Sequence, residues 1–218
     1  MQTPLIPARR ERTIGQDTTT FLGENDGEMI SIAEAKLRLP NLSWPDTQHE
    51  FVRYFSASVR AANADILFAN CSSSGFAVVI NGDLLIDGHL NARAGGDGYD
   101  SVVVVAGDVW VESAFFCACI TLVCGLLEAA TVLMCGYGDD GGALWVDAVR
   151  AQVFQYDTYF SKPDCAIDAF CIGDVYGVCS FSPERSAEVF VAEVLKCDVL
   201  DQHLAASWLN NGKSILVP

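Results

Sequence analysis

Gly82-Asp83-Leu84-Leu85-Ile86-Asp87, Gly107-Asp108-Val109-Trp110-Val111-Glu112, Gly125-Leu126-Leu127-Glu128-Ala129-Ala130 and Asp147-Ala148-Val149-Arg150-Ala151-Gln152 match column by column. The third column holds Leu84, Val109, Leu127 and Val149, and the fifth Ile86, Val111, Ala129 and Ala151. Both are apolar. The fourth column (Leu85, Trp110, Glu128, Arg150) and the sixth (Asp87, Glu112, Ala130, Gln152) are mixed. Alternation of period two marks a strand with one face buried and the other turned outward.

The copies begin at residues 82, 107, 125 and 147, so they lie 25, 18 and 22 residues apart. The excess over 18 falls in glycine-rich insertions, Gly95–Asp100 and Gly136–Gly142. A unit of that length, made of short strands, is one coil of a β-solenoid, and stacked coils bury what no single coil can bury. A weaker fifth copy is read at Gly173-Asp174-Val175-Tyr176-Gly177. The competing arrangement is a β-sandwich of hairpins, with Asn81-Gly82 and Asp87-Gly88 as candidate turns.

The fold expected is therefore mainly β: a single-stranded parallel β-solenoid (β-helix) of short coils over residues 76–180, with α-helical segments capping its ends. Residues 1–75 read as an irregular arm ending in a capping helix from Asp46 to Ala62, because Phe51, Tyr54, Phe55, Val59 and Ala62 follow helical spacing. Residues 181–218 read as a C-terminal helical cap. One helix opens at Ser182-Pro183-Glu184, a second runs from Asp198 to Asn211-Gly212, and Ser214–Val217 adds a strand.

The 218 residues are 51% hydrophobic and only 19% charged, a composition that folds. The net charge is -15. Between Ala61 and Phe160 twelve acidic residues face only Arg93 and Arg150, a distribution that repels phosphate backbones and draws basic proteins. Direct nucleic-acid binding is not expected. The uncharged run Ser113–Leu127 is 15 residues long, short of the roughly 20 that span a bilayer. Nine cysteines, an odd count in apolar surroundings with no framework spacing, and a start that does not read as a signal peptide, suit reduced thiols in a cytoplasmic protein. Cys117, Cys119 and Cys124 make a poor zinc pattern, so no metal or other cofactor is expected.

No nucleophile, zinc or phosphate-loop motif is present, and His49, His89 and His203 lie in different elements. Asp83, Asp108 and Asp147, with Asp87 and Glu112, should stack as carboxylate ladders about 4.8 Å apart, which raises carboxylate pKa values unless a cation relieves them. The plainer account is that Asp83 and Asp108 sit in coil corners and bond to backbone there.

The run Val78–Asp87, its echoes at Val103–Glu112 and Leu122–Ala130, and the ending Val191–Leu195 through Asn211–Leu216 resemble a loose group of bacterial β-solenoid proteins that look like immunity proteins of secreted, type VI-like antibacterial toxins. The resemblance covers residues 76–217. Leu126 and Asp147 depart from its glycine-aspartate corners. It implies a non-enzymatic cytoplasmic inhibitor, monomeric or in a 1:1 complex, whose acidity matches a basic nuclease toxin. The contact residues expected on the charge argument are Asp97, Asp100, Asp139 and Asp140 in the insertions and Asp87, Trp110, Glu112 and Glu128 on the strands, with Trp110 as aromatic anchor. The alternatives are a bactofilin-like structural polymer and a solenoid enzyme acting on sugars or acyl groups through His89 or Asp108.

Overall fold

The computed structural model describes residues 20–21, 27–62, 77–92, 101–116, 119–135, 143–156, 165–173 and 183–217. Across them the chain winds as a parallel β-solenoid with three faces, of which four turns are complete. Face 1 stacks β3 (Phe51–Phe55), β5 (Ala77–Ile80), β8 (Val102–Val105) and the first parts of β11 (Ile120–Ala129) and β13 (Ala143–Tyr156). Face 2 stacks β4 (Val59–Ala61), β6 (Leu84–Ile86), β9 (Val109–Val111), the later parts of β11 and β13, and the start of β14 (Ala166–Ile172). Face 3 stacks β7 (His89–Asn91), β10 (Ser113–Phe116), β12 (Val132–Cys135) and the ends of β13 and β14. β1 (Thr20–Phe21) lies parallel beside β4, and β2 (Glu28–Ser31) pairs antiparallel with β3.

The aligned columns are the observed register. Leu84 pairs with Val109, Val109 with Leu127 and Leu127 with Val149. The column also extends both ways, to Val59 and to Ile167. The described column continues at Ala166–Asp168; of the weaker copy read at Gly173–Gly177, only Gly173 lies within the described residues. The interior is one apolar cluster that includes Ile80, Leu84, Ile86, Phe116 and Phe154, each contributing about 1.5–3 kcal/mol through burial.

Residues 46–62 are not helical: residues 51–61 form β3, β4 and the turn between them, so the first coil lies inside the stretch read as an arm. Phe-Val-Arg-Tyr-Phe has helical spacing at Phe51, Tyr54 and Phe55, but β5 offers it a ladder, and aromatic and β-branched residues suit a strand. The helix of this region is α1 (Ile32–Arg38), opened by Ser31, whose hydroxyl accepts from the Glu34 amide at 3.1 Å.

At the other end, the helix expected from Ser182 is two 3-10 turns, Pro183–Glu188 and Ala192–Val194. The second helix, α2 (Gln202–Asn210), starts later than Asp198 because Cys197 and Asp198, both at positive φ, turn a small hairpin between β15 (Leu195–Lys196) and β16 (Val199–Leu200). Asp201 then caps α2, accepting from His203 and Leu204. The tail pairs by a Phe190–Leu216 bridge.

The terminal segments also cover two flanks of the stack. Ile30, Ala35 and the segment through Trp44 cover the outward side of face 1, at Tyr54, Val79 and Val104. The C-terminal segment covers the outward side of face 3, where Phe115, Val132, Met134, Val153 and Ile172 meet Val189, Phe190, Leu200 and Leu209. Faces 1 and 3 carry apolar residues on both sides and need that cover. The outward column of face 2 belongs to no apolar cluster of the described residues.

The corner between faces 1 and 2 explains the glycine-aspartate pairs. The Asp83 amide donates to the Ser58 hydroxyl at 2.9 Å, the Asp108 amide to Asp83 Oδ1 at 2.8 Å, and the Leu126 amide to Asp108 Oδ1 at 2.8 Å. Each carboxylate occupies the space where a Cβ on Gly107 or Gly125 of the next coil would stand, so those positions admit no side chain. The ladder ends at Leu126, which offers no acceptor, and the next coil accordingly carries Asp147 in the glycine column.

Asp108→Ala orphans the Leu126 amide and should cost about 1–3 kcal/mol. Gly125→Ala should destabilise the wild type yet be nearly neutral in the Asp108→Ala background, a coupling that a double-mutant cycle in urea measures. Gln155, fully buried beneath the C-terminal segment with neither amide atom bonded, aligns with Met134 and Ile172. Gln155→Met should therefore raise stability by about 1–3 kcal/mol in the same assay.

Candidate functional site

On face 2 the fourth column becomes one outward row: Arg60, Leu85, Trp110, Glu128, Arg150 and Asp168. Its centre is apolar and its ends are ion pairs. Asp87 reaches back one coil to Arg60, accepting from Nε at 3.0 Å and from an Nη at 2.8 Å. Arg150 donates to Glu128 at 3.2 Å and lies 3.7 Å from Asp168. Between them Leu85 is 5% exposed, and Trp110 is half-buried with an Nε1–H that has no acceptor. An indole donor held dry without a partner forgoes a hydrogen bond worth about 0.5–1.5 kcal/mol.

The expected strand residues are thus not an unrelieved acidic ladder. Asp87 and Glu128 are matched by arginines of neighbouring coils, and Asp83 and Asp108 are spent on the corner amides. Asp97, Asp100, Asp139 and Asp140 lie outside the described residues. In chain order they fall between Ala92 and Ser101 and between Cys135 and Ala143, where the chain passes from face 3 of one coil to face 1 of the next.

Glu112 stands apart from the row, at the corner between faces 2 and 3. There the backbone stacks as a column: the Glu112 amide donates to Gly88, Thr131 to Glu112 and Gln152 to Thr131, each at 2.9 Å. The side chains of Glu112, Thr131 and Gln152 form one wall of a cleft of about 360 Å3. Leu209 and the tail from Gly212 to Leu216 form the other, and His89 also lines it. Thr131 donates to the Glu112 carbonyl at 2.9 Å and touches the Ser113 hydroxyl. Lys213, on the tail, holds its ammonium 3.9 Å from the centre of the Trp208 ring, and Trp208 Nε1 donates to the Ser214 carbonyl at 3.1 Å.

His89 is bonded to the Leu209 carbonyl and so links β7 to the end of α2, while its Nδ1 is buried without a partner. Burial lowers its pKa, against the opposing pull of the Glu112 charge and the Leu209 bond. The imidazole is neutral at pH 7. His89 and Asp108, named together for the enzyme alternative, occupy different corners, and the Asp108 carboxylate is already engaged by the Leu126 amide.

A second groove of about 370 Å3 lies on face 1 between Asn41–Ser43 and the Leu122–Cys124 and Trp145–Asp147 stretches. Among the described residues no three of His, Cys, Asp and Glu group as metal ligands, and no helix is long and apolar enough to cross a membrane. Of the cysteines weighed as ligands, Cys119 is buried and takes a contact from the Thr121 hydroxyl at 3.6 Å, and Cys124 is half-buried. Comparisons with family models, curated proteins and solved structures give no match.

The Arg60, Arg150 and cleft residues were missed because their significance depends on which coils meet. The Ser113–Thr131 pair and the tail wall carry no local signal at all.

The pKa of His89 sets a pH dependence. The unfolded chain takes up the proton near pH 6.5 and the folded chain only below that, so the unfolded state binds more protons between the two values. Stability should be full above about pH 6.5 and fall as pH drops towards the folded pKa. His89→Gln, which keeps a donor for Leu209, should remove that part of the slope in unfolding curves from pH 8 to 5, measured against the wild type.

Proposed function

We propose that this chain is a non-enzymatic inhibitor: an immunity protein that binds a cognate basic toxin, a nuclease, and blocks its active site or substrate channel. The observation that carries the reading is face 2. It presents Trp110, beside a buried Leu85, at the centre of a row whose ends are Arg60 with Asp87 and Glu128 with Arg150 and Asp168. A desolvated aromatic centre ringed by charged groups is the arrangement of an interaction hot spot.

The net charge of -15 gives the long-range part. It steers a cationic partner into encounter and repels the nucleic acid on which that partner acts. The paired arginines of face 2 set register in the complex. The stacked coils make a stiff platform, so little conformational entropy is lost when the row is covered. A polymer of the bactofilin kind would use the ends of the stack, and β2, lying antiparallel across the amino-terminal edge of face 1, disfavours joining there.

The test is affinity capture on the tagged chain from its native cells, followed by nuclease assay. The reading expects a basic protein whose nuclease activity is silenced at a one-to-one ratio, with Trp110→Ala weakening the complex by about tenfold or more. Capture without inhibition, or inhibition indifferent to Trp110→Ala, contradicts it.

A further inference from the structure

The corner cleft has a chemistry of its own. Glu112, Thr131 and Gln152 come from three successive coils and so stand at about 4.8 Å intervals along the stack. They present a carboxylate, a hydroxyl oxygen and an amide in line, facing the tail across a space of about 360 Å3, the size of a small-ligand site. Among the described lining residues Glu112 is the one carboxylate and Lys213 the one permanent cation. That cation is drawn to the Trp208 face of α2, a contact of 3.9 Å. His89, neutral through burial, adds no positive charge. The lining thus carries one carboxylate and one ammonium, and the net charge of -15 on the whole chain is what favours cations over anions there.

We propose that this cleft binds a hydrogen-bond-donating cation, the guanidinium or ammonium tip of an arginine or lysine side chain on a protein partner. Glu112 is the counter-ion, and Thr131 and Gln152 are flanking acceptors. The inference rests on the reading of the chain as an inhibitor of a basic protein, and it adds a second anchor to that contact. Glu112 follows Trp110 by two residues on the same coil, so one partner can cover the indole and place a basic side chain in the cleft.

The probe is acetyl-arginine-amide, titrated into the full chain and followed by NMR at the His89 imidazole and the Thr131 methyl. Acetyl-citrulline-amide, the neutral analogue, is the control. The proposal expects saturable shifts at both reporters with the arginine probe and none with citrulline. Glu112→Gln should weaken binding by about tenfold, the loss expected for a charge-assisted hydrogen bond. Lys213→Gln, on an exposed residue, should strengthen it. No saturable shift, equal response to citrulline, or weaker binding in Lys213→Gln overturns the proposal, the last by revealing an anion site.

The partner arm uses the captured nuclease. Glu112→Gln should dissociate from it faster than the wild type. An unchanged complex with a working probe site overturns the assignment to a partner side chain and leaves the inhibitor reading standing. The inhibitor reading itself is judged separately, by whether the wild-type chain silences a nuclease and whether Trp110→Ala weakens that complex.

Discussion

The structure depends on one interaction repeated at a corner: the side-chain oxygen of one coil accepts the backbone amide of the next. Within the faces, parallel strands satisfy each other's amides and carbonyls. At the turns between faces the ladder is interrupted, and a buried amide left without an acceptor costs about 1–3 kcal/mol. Ser58, Asp83 and Asp108 fill that gap in order, each serving the coil above it. The same carboxylates forbid a side chain on Gly107 and Gly125, so aspartate and glycine are two halves of one packing solution. Where Leu126 replaces the acceptor, the steric demand vanishes, and Asp147 enters the glycine column.

With its corners fixed, the stack presents three flanks of different character. Faces 1 and 3 bury apolar residues on their outward sides under the two terminal segments, whereas face 2 displays a row with an apolar centre and paired charges. The inhibitor reading draws its specificity from that row and its encounter rate from the overall charge. The cleft beside Glu112 exists only because the C-terminal tail runs along the corner of faces 2 and 3.

What the sequence made legible was the part governed by period two. Leu84, Val109, Leu127 and Val149 could be aligned by eye because glycine-aspartate corners flag where each strand begins. Val59 and Ile167 share that column but lack the flag, so the first and last coils went unread. β3 was mistaken for helix because Phe51, Tyr54 and Phe55 satisfy a helical spacing, and only the neighbouring strand decides between the two. The Ser31-Ile32-Ala33-Glu34 run was a readable N-terminal signal for α1. For the site, Trp110 was correctly placed on the outward side. The pairing of Asp87 with Arg60, 27 residues away, and of Glu128 with Arg150, 22 away, depends on coil lengths that irregular insertions obscure.

Amide hydrogen exchange, resolved residue by residue, tests the corner ladder most directly. The account predicts that Asp83 and Asp108, which lie outside the strands, and Leu126, at the irregularity within β11, are protected as strongly as the strand amides of Val103 and Val104. Exchange of these three at the rate of an open loop, with the strands still protected, would contradict it.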